Sequence, residues 1–402
     1  MQYTSQSAQS TEGLSAGMTF FFACAGALIL ANIYYAQPIL ADMAADIGLA
    51  PAASGGILTL LQIGYMLGIL FMGPLGDALE NRKLIAGMVW GAALALWTAS
   101  ASGRANGHAL FFAAQLGIGF FSSATQIQLA FAAGLAGDAR RGRVLGALMA
   151  GLFLGMILSR PLAGLLSGAF GWHAVYRLAG LLMLALGLAQ WRLLPGGKPA
   201  GKPESYPAML RSMARLPRTV PQLPRLLALA AIVFTAFCMF WTAAPLALRQ
   251  TPGFSPGRLA LFTLLALVTP PCVFLAGRLL DKGLGPQLIT LGSILAALVF
   301  GLCACLSVQN AAFVPVLAFS ALLLDPGICV TTLAVQQDIL SALPEARSRL
   351  NTLSVVCNFC SGALGSAAAP WLFTHFGWRA VACAGCVLLC LAFALNARPN
   401  QF

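Results

Sequence analysis

Three short features occur twice in this chain, each pair separated by about 205 residues, a spacing that marks a duplicated structural unit. Gly73-Pro-Leu-Gly-Asp77 closes an apolar run and leads into Arg82-Lys83, and Gly277-Arg-Leu-Leu-Asp281 closes another and leads into Lys282. The basic stretch Ala139-Arg-Arg-Gly-Arg143 returns as Ala346-Arg-Ser-Arg349, and Phe170-Gly-Trp172 returns as Phe376-Gly-Trp378. A chain that repeats itself at this length folds as two like halves. When such halves are built in a membrane, they enclose a path between them.

The membrane follows from composition. Of 402 residues, 59% are hydrophobic and 8% charged, with mean hydropathy +0.85, against roughly 25% charged in a soluble domain. The apolar content is enough for about twelve spans of ~20 residues. The runs are long rather than short and alternating, so helices are expected and a barrel is not. The 42 glycines suit close helix approach in lipid.

Six apolar stretches between 18 and 194 precede six between 226 and 396. Between them, 195–225 carries Pro195, Pro199, Pro203, Pro207, Pro217, Pro221 and Pro224 among basic residues, as a linker does. The expected organisation is a cytoplasmic tail over 1–17, a six-helix bundle over 18–194, the linker over 195–225, a second bundle over 226–396, and a tail over 397–402. Tail 1–17 has no Lys or Arg, so it does not read as a signal peptide. Arg82, Lys83, Arg140, Arg141, Arg143, Lys198, Lys202, Lys282, Arg347 and Arg349 fall in connections on one side, which the positive-inside rule makes cytoplasmic. Both termini then lie in the cytoplasm of a bacterium, and the two six-span copies start from the same side. The net charge of +12 is accounted for by this bias, which leaves nucleic acid without support.

Gly73-x-Leu75-Gly76-Asp77 with Arg82-Lys83 between spans 2 and 3 resembles the signature loop of the major facilitator superfamily, and Gly277 to Gly285 sits where that family keeps its second copy. Asn32-Ile-Tyr-Tyr-Ala-Gln-Pro38 and Pro344-Glu-Ala-Arg-Ser-Arg349 look like a bacterial branch grouped with arabinose-efflux and drug–proton antiporters. The chain departs from the family pattern at Ala78 and Glu80 in the loop, and at Gln115, about where span 4 commonly carries an Arg. The resemblance implies an all-α membrane protein with twelve transmembrane helices in two pseudo-symmetric six-helix bundles. It also implies proton-coupled efflux by alternating access, with Gly73, Asp77, Arg82, Lys83 and Asp281 forming a cytoplasmic gate.

Arg160 and Asp325 are the ionisable side chains deep within apolar spans. A charge at a helix centre costs about 2.5–3.5 kcal/mol on insertion scales, so each needs a partner or a wet cavity. Two readings fit: a structural ion pair, or a proton site at Asp325 with Arg160 holding an anionic group or acting as counter-ion. Pro326-Gly327 behind Asp325 suggests a helix that opens there. Asn32, Tyr35, Gln37, Gln126, Trp241 and Gln336 are the polar candidates for a solute cavity; Asn32 and Tyr35, three apart, would share a helix face.

No phosphate loop, zinc pattern or nucleophile elbow occurs, so no cofactor, metal or enzymatic activity is expected. The eleven cysteines lie almost wholly in apolar runs and read as packing residues. The chain thus reads as a carrier of a small organic solute in the bacterial inner membrane, working as a monomer with protons as its fuel. Export of an anionic metabolite such as a carboxylate chelator, permeation of a sugar or other neutral solute, and a polytopic enzyme or sensor are the alternatives.

Overall fold

The computed structural model describes residues 14–103, 107–137, 140–196 and 206–397; the start of the N-terminal tail, part of the linker and nearly all of the C-terminal tail lie outside them. All regular structure among the described residues is helical. Helices α1 (Ala16–Tyr34) and α2 (Ala36–Ile47) make span 1, α3 (Gly55–Ala78) span 2 and α4 (Asn81–Ala101) span 3. Helices α5 (Gly107–Ser122) and α6 (Ala124–Leu135) make span 4, α7 (Arg141–Phe170) span 5 and α8 (Trp172–Leu193) span 6. A connecting helix α9 (Tyr206–Thr219) leads to span 7, α10 (Leu223–Arg249). Span 8 is α11 (Pro256–Leu264) and α12 (Thr269–Leu280), span 9 α13 (Gly285–Ala304) and span 10 α14 (Phe313–Ser341). Spans 11 and 12 form α15 (Arg347–Ala397), bent at Gly377. Among the described residues, eleven helical segments are long and apolar enough to cross a membrane. Division of the last at Gly377 makes twelve.

Proline explains two of the breaks. Pro38 has no N–H for the Tyr34 carbonyl, and span 1 turns at Tyr35. Pro270 and Pro271 likewise follow the 3-10 turn Leu265–Val268 that splits span 8. At Pro326 the sequence expectation of an opened helix is not met. Helix α14 runs unbroken from Phe313 to Ser341, and Thr331 Oγ1 donates to the Gly327 carbonyl at 2.8 Å.

The repeated Phe-Gly-Trp motif makes the same corner twice. Gly171 (φ 79°, ψ 162°) joins spans 5 and 6, and Gly377 (φ 76°, ψ −175°) joins spans 11 and 12. Side chains with a Cβ rarely adopt that backbone. Each corner buries its tryptophan edge-on to a phenylalanine: Trp172 on Phe111 at 6.0 Å, Trp378 on Phe313 at 5.6 Å.

Helices within the first half approach to backbone contact. A Cβ on Gly64 would stand 2.1 Å from the Leu116 carbonyl oxygen, and one on Gly155 2.2 Å from that of Ala27. The Gly-x-x-x-Gly spacings at Gly64/Gly68 and Gly151/Gly155 are therefore used inside the bundle, between spans 2 and 4 and between spans 1 and 5.

Buried apolar residues fall into two clusters. One lies wholly within 22–194; the other is centred on 216–392 and takes in Ile33, Tyr34, Tyr65, Ile69, Met156 and Ile157 from the first half. The side of the bundle holding Ala16 and α9 is called here the terminal face, and the opposite side the far face. The halves meet toward the far face. A Cβ on Gly55 would lie 2.2 Å from the Ser366 carbonyl oxygen. Thr59 Oγ1 donates to the Ala363 carbonyl at 3.0 Å, and Arg249 forms an ion pair with Asp42.

Candidate functional site

Beneath that seal, four spans converge on one pair of charges. Arg160 from span 5 and Asp325 from span 10 are 0% and 1% exposed, and Arg160 Nη1 stands 4.0 Å from Asp325 Oδ2. The pair joins the two halves. Arg160 Nε donates to Gln37 Oε1 at 2.7 Å, and Trp241 Nε1 donates to Asp325 Oδ1 at 2.6 Å. The guanidinium carbon lies 4.1 Å from the Trp241 ring centre, 5.3 Å from Tyr34 and 5.5 Å from Phe237. Contacts of a cation with aromatic faces are each worth about 0.5–2 kcal/mol, more when dry.

The bonding is incomplete. Arg160 Nη1 and Nη2 and Asp325 Oδ2 have no hydrogen-bond partner although they are buried. A 4.0 Å contact is too long for a hydrogen bond, so the pair attracts without being saturated. It retains two unused donor groups and a carboxylate oxygen with nothing on it. That is the chemistry of a site that takes up something else.

The structure brings together Arg160, Asp325, Gln37 and Trp241 of the residues singled out in the sequence, and places the others apart. Asn32 is buried and donates from Nδ2 to Ser122 Oγ at 3.4 Å, within the first half. Gln126 donates to the Tyr65 hydroxyl at 3.1 Å, and Tyr65 stacks on Phe359 of span 11 with ring centres 4.2 Å apart. Gln336 holds Asn351 and Ser354 across spans 10 and 11. Tyr35 packs with the first half's apolar cluster. Its neighbour Tyr34 faces Arg160 instead: Tyr34 and Gln37, three apart, share the helix face that meets the guanidinium, while Asn32 and Tyr35 turn toward the first half. Sequence reading missed Tyr34, and its three-residue spacing from Gln37 was the signal. Gln115 accepts from the Tyr176 hydroxyl at 3.3 Å, well inside the first half.

At the terminal face, Arg82 Nη2 and Lys83 Nζ both reach Glu80, at 3.0 Å and 2.7 Å, so these two cations close on their own loop. Lys83, then Arg82, holds the Glu80 carboxyl below its ordinary range. Gly73 lies within α3 with open space where a Cβ would stand. Asp281 is exposed and ends α12, and the Asp77 side chain is outside the described residues. A shallow groove lined by Leu79, Glu80, Lys83, Leu84 and Phe121 lies at this face, distant in the fold from Arg160. No group of His, Cys, Asp and Glu suited to a metal ion occurs among the described residues.

Residues 22–338 match the family model of the Major Facilitator Superfamily. The chain belongs to that superfamily. It is 32% identical over 381 residues to the uncharacterized transporter YgaY of Escherichia coli O157:H7, with 93% of each chain covered. Among solved structures it resembles the nucleoside transporter NupG, with a TM-score of 0.75 at 14% identity over 94% of this chain and 97% of that one. A bacterial homolog of the human lysosomal transporter Spinster, in an inward-facing and occupied conformation, gives 0.73 at 14% identity, covering 96% and 97%. The protein is a multi-pass membrane transporter with the facilitator fold.

Proposed function

We propose that this transporter moves a small organic solute across the bacterial cytoplasmic membrane in a cycle coupled to protons, with Asp325 as the proton carrier and Arg160 as its counter-ion. One observation carries the reading. The two buried charges come from different halves and touch each other, so a proton on Asp325 removes an attraction that holds the halves together. Gln37 and Trp241 keep each partner in place through the change.

The bias of basic residues makes the terminal face cytoplasmic, with both termini there. With contacts gathered at the far face, the conformation is then the inward-facing one, in which Arg249–Asp42 and Gly55 against Ser366 close the outer side. The Asp77, Arg82, Lys83 and Asp281 gate belongs to the opposite state. Arg82 and Lys83 are free to leave Glu80 when the cytoplasmic ends approach.

Proteoliposomes loaded with a pH-reporting dye test this. Sugars, nucleosides, carboxylates and cationic drugs are added in turn under an imposed pH gradient. At least one should move protons through the wild-type protein, and that movement should vanish in Asp325→Asn. Proton movement of unchanged size in Asp325→Asn would remove Asp325 from the cycle.

A further inference from the structure

The charges around Asp325 restrict what can travel with the proton. Arg160 is the charged group facing it; Trp241 from span 7 is neutral, and Cys329 on its own helix is a further titratable group close enough to feel it. Beyond Arg160 stand Tyr34 from span 1 and Cys238 from span 7. Gln37 brings no charge. Both side chains are buried, so an unbalanced charge there is poorly stabilised by solvent.

Four occupancies follow. The empty pair is neutral. A proton alone on Asp325 Oδ2 leaves the guanidinium unbalanced, and an anion alone against Arg160 leaves one negative charge too many. Proton and monovalent anion together restore neutrality. A cationic solute leaves the cluster with excess positive charge in either protonation state, and a neutral one leaves the proton uncompensated.

The unfilled atoms fit an anion. Nη1 and Nη2 are both buried and unpartnered, and two guanidinium donors side by side match the two oxygens of a carboxylate. Tyr34, Phe237 and Trp241 line the same guanidinium with ring faces, which suits an apolar or aromatic body behind the carboxylate. We infer that the solute is an organic monocarboxylate, bound through its carboxylate to Arg160 Nη1 and Nη2, and that it crosses in the same direction as the proton it requires on Asp325. This rests on the proton-carrier reading above and adds to it the solute's charge and the sense of coupling.

The test uses purified full-length protein with sodium benzoate and sodium hexanoate as probes and benzamide and benzylamine as controls, read by thermal unfolding at about pH 6 and about pH 8. A carboxylate should raise the midpoint, more at the lower pH, and its binding should draw a proton from a weakly buffered dye solution. The controls should leave the midpoint unmoved. Arg160→Gln should lose the carboxylate response and Arg160→Lys keep a reduced one. In Asp325→Asn the amide stands in for the protonated acid, so the carboxylate shift should become equal at both pH values and draw no proton.

A benzamide shift equal to that of benzoate, no shift with either carboxylate, or a pH-dependent shift surviving in Asp325→Asn would each overturn the inference. Failure is distinguishable from that of the parent reading. Protons moved by a neutral solute but by no carboxylate sink this inference alone, whereas protons still moved by Asp325→Asn sink the carrier itself.

Discussion

The two halves of the molecule are most alike at their corners and least alike at their centre. Phe170-Gly171-Trp172 and Phe376-Gly377-Trp378 share one backbone geometry and bury one kind of aromatic contact. Ten residues before the corner phenylalanine, one half has Arg160 and the other Ser366. Twelve residues after the phenylalanine that receives the tryptophan, one has Ser123 and the other Asp325. The first span of one half offers Gln37 to the pair, and that of the other offers Trp241. The duplicated frame is kept where it folds, and the chemistry stands where the copies differ.

The sharpest way to break this contrast is to remove one charge. Arg160→Gln should destabilise the protein by about 3–5 kcal/mol, because it strands a buried carboxylate. Arg160→Gln with Asp325→Asn should recover much of the loss, as coupled neighbours do. Thermal unfolding of the four proteins measures the cycle, and strict additivity would show that the pair does not interact. Next come the corners: Gly171→Ala and Gly377→Ala should each cost about 1–3 kcal/mol, and by similar amounts, from backbone strain. A large difference between them in the same assay would show that the corners are not equivalent.

Smaller still is the far-face ion pair. Arg249 and Asp42 are partly exposed, so Asp42→Ala should change stability by about 0–1 kcal/mol, while a distance measured between spin labels across that face should lengthen on average. The smallest effect belongs to Glu80. Its carboxyl is held below the ordinary range by Lys83 and Arg82, so what it contributes is present above the unfolded-state value and lost only as pH falls through the lowered one. Transport between about pH 6 and about pH 8 should therefore keep the same pH profile in Glu80→Gln; an altered profile would place the loop in the proton cycle.

Much of the frame is legible in the order of residues alone. Apolar runs mark the spans, and the repeated Phe-Gly-Trp points to two like corners, because glycine there is a backbone requirement rather than a preference. Arg160 and Asp325 stand out since a lone charge in an apolar run has to be answered by something. What joins them is less visible. Which of Tyr34 and Tyr35 faces the pair depends on which helix face meets Arg160, and Tyr35 lies with Asn32 on the face turned toward the first half. Gln126 and Gln336 are spent on neighbouring spans, which no residue type reveals. The loop cations were expected to reach across the halves; Glu80, three residues from Lys83, takes them in this conformation.

Both buried charges immediately precede a proline, Arg160 before Pro161 and Asp325 before Pro326. A proline deprives its helix of one rung, so resistance to flexing is lowest about one turn before it. Each half therefore carries its charge within the turn that lacks a rung, so a change in electrical balance acts where each of these two helices is short of one hydrogen bond. Little force has to be transmitted over any distance.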